Sequence, residues 1–165
     1  MATLAPIAPC LWFDNEAEDA AKFYVGIFPN SKIVSIARYG EAGKETHGRP
    51  PGSVMVVEFE LNGQPFTALN GGPAFTFSEA VSFQVYCDTQ EELDHYWNTL
   101  GAGGDPAAQV CGWLKDKFGL SWQVVPGMMK EMFAHGVTPG SERVMTMMMQ
   151  MKKLDIAELK RAFAS

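Results

Sequence analysis

Charged residues are scarce in this chain, 19% of its 165 positions, and no segment concentrates positive charge. Thirteen Lys and Arg against nineteen Asp and Glu leave a net charge of −6, which repels phosphate backbones, so no nucleic-acid partner is expected. Long hydrophobic runs are missing as well. The longest apolar windows, such as Val54 to Val57 and Val144 to Met149, fall far short of the roughly 18 to 20 residues that span a bilayer, so no membrane partner is expected either. Met1 to Pro9 lacks the basic start and continuous apolar stretch of a leader, which makes the cytoplasm the expected location. Cysteine is limited to Cys10, Cys87 and Cys111, an odd number without CxxC spacing, as suits reduced thiols. The three histidines, His47, His95 and His135, form no ligand spacing.

What is present is the composition of a globular core, 47% hydrophobic, in a length that suits one domain spanning 1–165. Ile7 to Phe13 has strand length and ends at Asp14-Asn15, a pair suited to cap a helix. From Glu16 to Phe28, Ala17, Ala20, Ala21, Tyr24, Ile27 and Phe28 recur at helical spacing until Pro29-Asn30. Ser31 to Tyr39 is a predicted strand, Gly40 to Gly52 a loop, and Val54 to Leu61 with Gln64 to Asn70 a hairpin about the Asn62-Gly63 turn. The order then begins again. A strand at Val81 to Cys87, Asp88 as cap and a helix at Gln90 to Leu100 precede a loop at Gly101 to Ala108 and strands near Gln109 to Leu114 and Leu120 to Val125. A short helix after Pro126 and helices over Ser141 to Met151 and Asp155 to Phe163, the last capped by Asp155, complete the prediction.

Phe23-Tyr24 and Tyr96-Trp97 mark a weak internal repeat. Two such halves, each too small to bury its own sheet face, are expected to pack together as one curved sheet with helices outside and a concave pocket. Period-two alternation selects its lining. Val81, Phe83 and Val85 face a helix and leave Ser82, Gln84 and Tyr86 opposite; Trp122 and Val124 leave Ser121 and Gln123; Leu11 and Phe13 oppose Cys10 and Trp12. The candidate ligand-binding set is Cys10, Trp12, Ser82, Gln84, Tyr86 and Gln123. The amides and Ser82 suit hydrogen bonding, and Trp12 and Tyr86 suit either stacking on a flat ligand or packing. Cys10 has no histidine near it in sequence and suits packing better than nucleophilic attack.

The segments PCLWFDNEAEDAAKFYVGIFPNSKI, NGGPAFTFSEAVSFQVYCDTQEELDHYW, CGWLKDKFGLSWQVVP and RVMTMMMQMKKLDIAELKRAF resemble PhnB-like proteins. That family, which carries the label 3-demethylubiquinone-9 3-methyltransferase domain, belongs to the vicinal oxygen chelate superfamily with glyoxalase I, extradiol dioxygenases and bleomycin or fosfomycin resistance proteins. The resemblance implies an α+β fold of paired βαβββ modules, approximately 5–72 and 78–126, with a C-terminal helical segment at 127–165, and a homodimer. The superfamily's metal enzymes carry His and Glu ligands on their first, fourth, fifth and eighth strands. The matching positions fall near Ala8, on Ala68 or Asn70, on Ser82 and on Gln123, and none is His, Glu or Asp. Asn70 joins the candidate ligand-binding set on this ground.

No metal and no cofactor are therefore expected. The Gly101-Ala102-Gly103-Gly104-Asp105 stretch is not a nucleotide loop, because a helix precedes it and Pro106 follows. The chain also lacks the Rossmann-like start usual in adenosylmethionine enzymes. The expected function is binding of a small, partly apolar organic ligand. The alternatives are an enzyme, either a methyltransferase as the family label says or a metal-assisted isomerase or dioxygenase, and a drug-sequestering resistance-type protein. The methionines at Met145, Met147, Met148, Met149 and Met151 suit an adaptable binding surface, core filling or a dimer contact.

Overall fold

The computed structural model describes residues 7–165. The expected module start at residue 5 lies outside them, as does most of Met1 to Pro9. The chain forms two compact units, divided between Thr76 and Phe77. Both mix sheet and helix, as the α+β expectation requires.

The first unit runs β1 (Cys10–Phe13), α1 (Ala17–Ile27), β2 (Lys32–Arg38), a short α2 (Lys44–His47), β3 (Val54–Leu61) and β4 (Gln64–Asn70). Its sheet has the order β1-β4-β3-β2, with β1 parallel to β4 and the other pairs antiparallel. This is one βαβββ module. The hairpin between β3 and β4 turns at Asn62 (φ 48°) and Gly63 (φ 78°), the left-handed pair that matches strand twist. Leu11, Phe13, Val57, Phe59, Phe66 and Ala68 make the buried sheet face. Ala17, Ala20, Ala21 and Tyr24 of α1 are fully buried too. The small alanines let the helix approach closely, while Tyr24 stacks on Phe59 with centroids 6.4 Å apart.

The second unit runs β5 (Ser82–Cys87), α3 (Gln90–Gly101), a 3₁₀ turn (Pro106–Ala108), β6 (Trp113–Lys115), β7 (Ser121–Pro126), α4 (Met129–Ala134), α5 (Pro139–Met148) and α6 (Ile156–Ala164). Its sheet has the order β5-β7-β6, β5 and β7 running parallel. The counterpart of β2 is replaced by the 3₁₀ turn and irregular chain, so this half is βαββ. Leu93, Trp97 and Leu100 of α3 are buried, as are Leu114, Trp122 and Val124 of the sheet.

Several local expectations are corrected. The loop at Gly40 to Gly52 contains α2. The strand expected over Gln109 to Leu114 starts only at Trp113, because Cys111 (φ 50°) and Gly112 (φ 83°) are both left-handed and break extended pairing. Val81 lies before β5 and is 62% exposed, so it covers no helix. Asp14 and Asp88 are not the helix caps. Glu16 precedes α1 without a side-chain cap, and Asn70 Oδ1 accepts from Ala17 N at 2.9 Å instead. Thr89 caps α3, accepting from Glu92 N while Glu92 reaches back. Asp155 does cap α6, accepting from Glu158 N at 2.9 Å.

Candidate functional site

Alternation leaves one face of each sheet free of its own helix. In the first unit β1 places Cys10 beside Thr67 of β4, which pairs with Glu58 of β3 and so with Ser35 of β2. The next row on that face is Trp12, Leu69, Val56 and Ala37. Cys10 is exposed, and Ser35 Oγ donates to Glu58 Oε2 at 2.7 Å. Trp12 donates its indole N–H to Gly72 O at 2.8 Å and meets Phe75 edge-on at 4.9 Å. Gly71 permits this: a Cβ there would stand 2.3 Å from the indole. Asn70 is 6% exposed, at the end of β4 on the helix-facing side. Its oxygen holds Ala17 N and its Nδ2 donates to Val54 O at 3.1 Å, so both ends of the amide are committed to backbone.

The second unit gathers the other candidates. Ser82 and Gln84 of β5 stand in register with Ser121 and Gln123 of β7. Gln123 Nε2 donates to Ser82 Oγ at 2.8 Å, Gln84 Nε2 donates to Gln123 Oε1 at 3.4 Å, and Tyr86 donates its hydroxyl to Gln84 Oε1 at 2.8 Å. The Lys130 ammonium lies 3.7 Å from the Tyr86 ring centroid, a cation–π contact worth about 0.5 to 1 kcal/mol at an exposed site. Gln84, Tyr86 and Gln123 line a groove of about 370 Å³ whose other walls are Trp113, Cys111, Val125, Lys130 and methionines of α4, α5 and the turn after α5. That is the size of a small organic ligand. A second hollow of about 440 Å³ shares Cys111 and Trp113 with it and continues past Lys115, Glu79 and Ser121. Lys115 Nζ stands 2.6 Å from Glu79 Oε1 and holds that carboxyl below its ordinary range. Among the described residues the buried Ser121 hydroxyl has no hydrogen-bond partner.

Sequence reasoning missed Trp113, Lys115 and Lys130 at these hollows. Alternation within Trp113-Leu114-Lys115 carries the signal for the first two, with Leu114 buried and its neighbours on the open face, but the strand had to be placed at 113 to expose it. Nothing local marks Lys130, which tertiary packing brings over Tyr86.

The positions matched to superfamily metal ligands do not suit a divalent ion. Ala68 has no donor, Asn70 is spent on backbone, and Ser82 and Gln123 satisfy each other. Among the described residues no group of three or more His, Cys, Asp or Glu stands where it could hold a metal ion. The glycine stretch after α3 does not suit a nucleotide either. A Cβ on Gly104 would stand 2.0 Å from Lys115 O, so this glycine lets two backbones touch and leaves no cradle. No helix among the described residues is long and apolar enough to cross a membrane.

The family model described as 3-demethylubiquinone-9 3-methyltransferase matches residues 5–125. Among solved structures, the PhnB protein of Bacillus cereus is 37% identical, with 74% of this chain and 100% of that chain covered at a TM-score of 0.63. Protein PA1353 of Pseudomonas aeruginosa is 19% identical over 74% of this chain and 98% of its own, at a TM-score of 0.56. The fosfomycin resistance protein FosX of Listeria monocytogenes is 14% identical over 79% and 98%, at 0.49. Among proteins of curated function none matches. The match over more than half the length, together with the βαβββ module, establishes that the chain belongs to the PhnB-like 3-demethylubiquinone-9 3-methyltransferase family and shares the fold of the Bacillus cereus PhnB protein.

Proposed function

We propose that this PhnB-like chain binds a small, partly apolar organic molecule on the open sheet face of its second unit, without a divalent metal. The observation that carries the reading is the polar line Gln123, Gln84 and Tyr86 along one wall of the 370 Å³ groove, with Ser82 holding Gln123 from behind it, facing Trp113 and thioether side chains. Fixed amides and a phenol can orient a carbonyl or hydroxyl, and the apolar wall supplies affinity through buried area. Cys10 and Trp12 stand on the open face of the first unit and are proposed as a separate ligand-facing pair there, while the part of Asn70 is to hold the neighbouring backbone. The chain is proposed to work as a homodimer in the cytoplasm, with no nucleic-acid or membrane partner. Exposed apolar side chains such as Val34, Phe75 and Val81 support self-association.

A second reading, methyl transfer, is favoured by the family model's description. It requires an adenosylmethionine site, for which the Gly101 to Asp105 stretch supplies no cradle. Thermal-shift screening of hydroxylated aromatic and quinone compounds tests the first reading. A ligand at about 100 times its dissociation constant adds roughly 2.7 kcal/mol to stability. Gln123→Ala is expected to abolish that shift while costing only about 1 kcal/mol of its own. No shift from the panel together with a shift from adenosylmethionine would replace the first reading by the second.

A further inference from the structure

The fold sorts the methionines of the C-terminal run. α5 and the turn after it place Met145, Met148 and Met149 at i, i+3 and i+4, on one face, and all three line the 370 Å³ groove with Met129 and Cys111. Met147 lines a separate hollow beside Arg143 and Thr146. Methionines that fill a core are buried, whereas Met145 is 46% and Met149 66% exposed. Their thioethers are presented to the groove and to solvent.

Cys111 Sγ stands 3.9 Å from Met149 Sδ. Two sulfurs sharing one ion at the roughly 2.3 Å of a metal–thiolate bond stand about 3.8 Å apart in tetrahedral geometry and about 4.0 Å in trigonal geometry. The backbone fixes the pair. Cys111 N donates to Met151 O and Gly112 N to Lys152 O, each at 2.8 Å, so the thiol-bearing turn is laced to the end of the methionine run. Thiolate and thioether are soft donors that select Cu(I) over harder divalent ions, and the carboxylates and imidazoles that a divalent ion needs do not gather among the described residues.

We propose that Cys111 and Met149, with Met145 and Met148 beside them, form a site for a soft monovalent cation, Cu(I) or Ag(I). The Cys111 thiol gives up its proton to solvent as the sulfur–metal bond forms, and no electron changes hands. The site shares the groove with the organic ligand proposed above, but uses its sulfur wall and none of its amides.

The test is titration of the reduced full-length protein with Ag(I), followed by calorimetry and native mass spectrometry, with Cu(I) competition against a bathocuproine chelator. Cys10→Ser provides the parent, since it removes the exposed thiol of the first unit. The parent is expected to bind one ion per chain and release one proton. In that parent, Cys111→Ser and the double change Met145→Leu with Met149→Leu are each expected to weaken binding at least as much as the roughly 10- to 100-fold that loss of an outer-shell partner costs a metal site. Gln84→Ala and Gln123→Ala are expected to leave it unchanged, which separates this site from the organic-ligand reading. Circular dichroism confirms that each variant is folded. Absence of a stoichiometric ion in the parent overturns the proposal, as does an affinity indifferent to the methionine pair.

Discussion

The two units meet the same problem, a helix N-terminus set against the ends of two parallel strands, and solve it with different residues. In the first, α1 has no cap of its own, and Asn70 at the end of β4 supplies the acceptor from 53 residues away in sequence. In the second, the position paired with the end of β5 is Pro126, which has no such acceptor, and Thr89 with Glu92 closes a capping box within three residues. The sheets differ in the same spirit. The first keeps a seven-residue β2 at its edge, whereas the second replaces that strand with a 3₁₀ turn and ties the chain before β6 to the C-terminal segment through Cys111 and Gly112. A repeat therefore conserves topology and the buried helix aromatic, Tyr24 in one half and Trp97 in the other. It leaves helix capping and strand number to local solutions.

The sharpest way to break the second unit alone is Gly104→Ala. Its Cβ would meet Lys115 O at 2.0 Å, so a loss of about 3 kcal/mol is expected in urea denaturation. Asn70→Ala follows. It leaves Ala17 N and Val54 O without their partner in a buried setting, at about 2 kcal/mol, whereas Thr89→Ala removes a cap at the solvent edge and costs about 1 kcal/mol. Equal costs would mean that the two capping devices are interchangeable. Gly26→Ala in α1 meets nothing within 4 Å and is expected to stabilise by about 0.5 to 1 kcal/mol, the reverse of Gly104→Ala.

The thiols give the mildest contrast. Burial, with Glu92 and Asp88 adding to it, pushes Cys87 up from 9.0 to about 11, while Cys10 is exposed. Cys10 is expected to alkylate readily at pH 8 while Cys87 stays protected in the folded chain. Because the unfolded thiol ionises first, the stability contributed by neutral Cys87 is fully present below pH 9 and declines as pH rises towards 11. Stability in a Cys87→Ser variant should lose that part of its alkaline dependence.

Much of the fold was legible because it is written locally. The hairpin of β3 and β4 is bounded by residues that name themselves, Asn62-Gly63 at the turn, and the alternation within β5 and β7 alone puts Ser82, Gln84 and Gln123 on one face. What escaped were features made by partners distant in sequence. The family position suggests a ligand-facing role for Asn70, yet its amide bonds Ala17 and Val54. Trp113 and Lys115 were obscured because two left-handed residues start β6 late.

By itself the sequence determined composition class, the periods of helix and strand, and which strand residues share a face, since these depend on geometry repeating every two or 3.6 residues. Only tertiary structure decided that Asn70 serves a helix, that Lys130 covers Tyr86, and that Cys111 meets Met149. Each of these pairings depends on where separate segments dock, and docking is set by the fit of whole buried surfaces, which no single stretch of chain encodes.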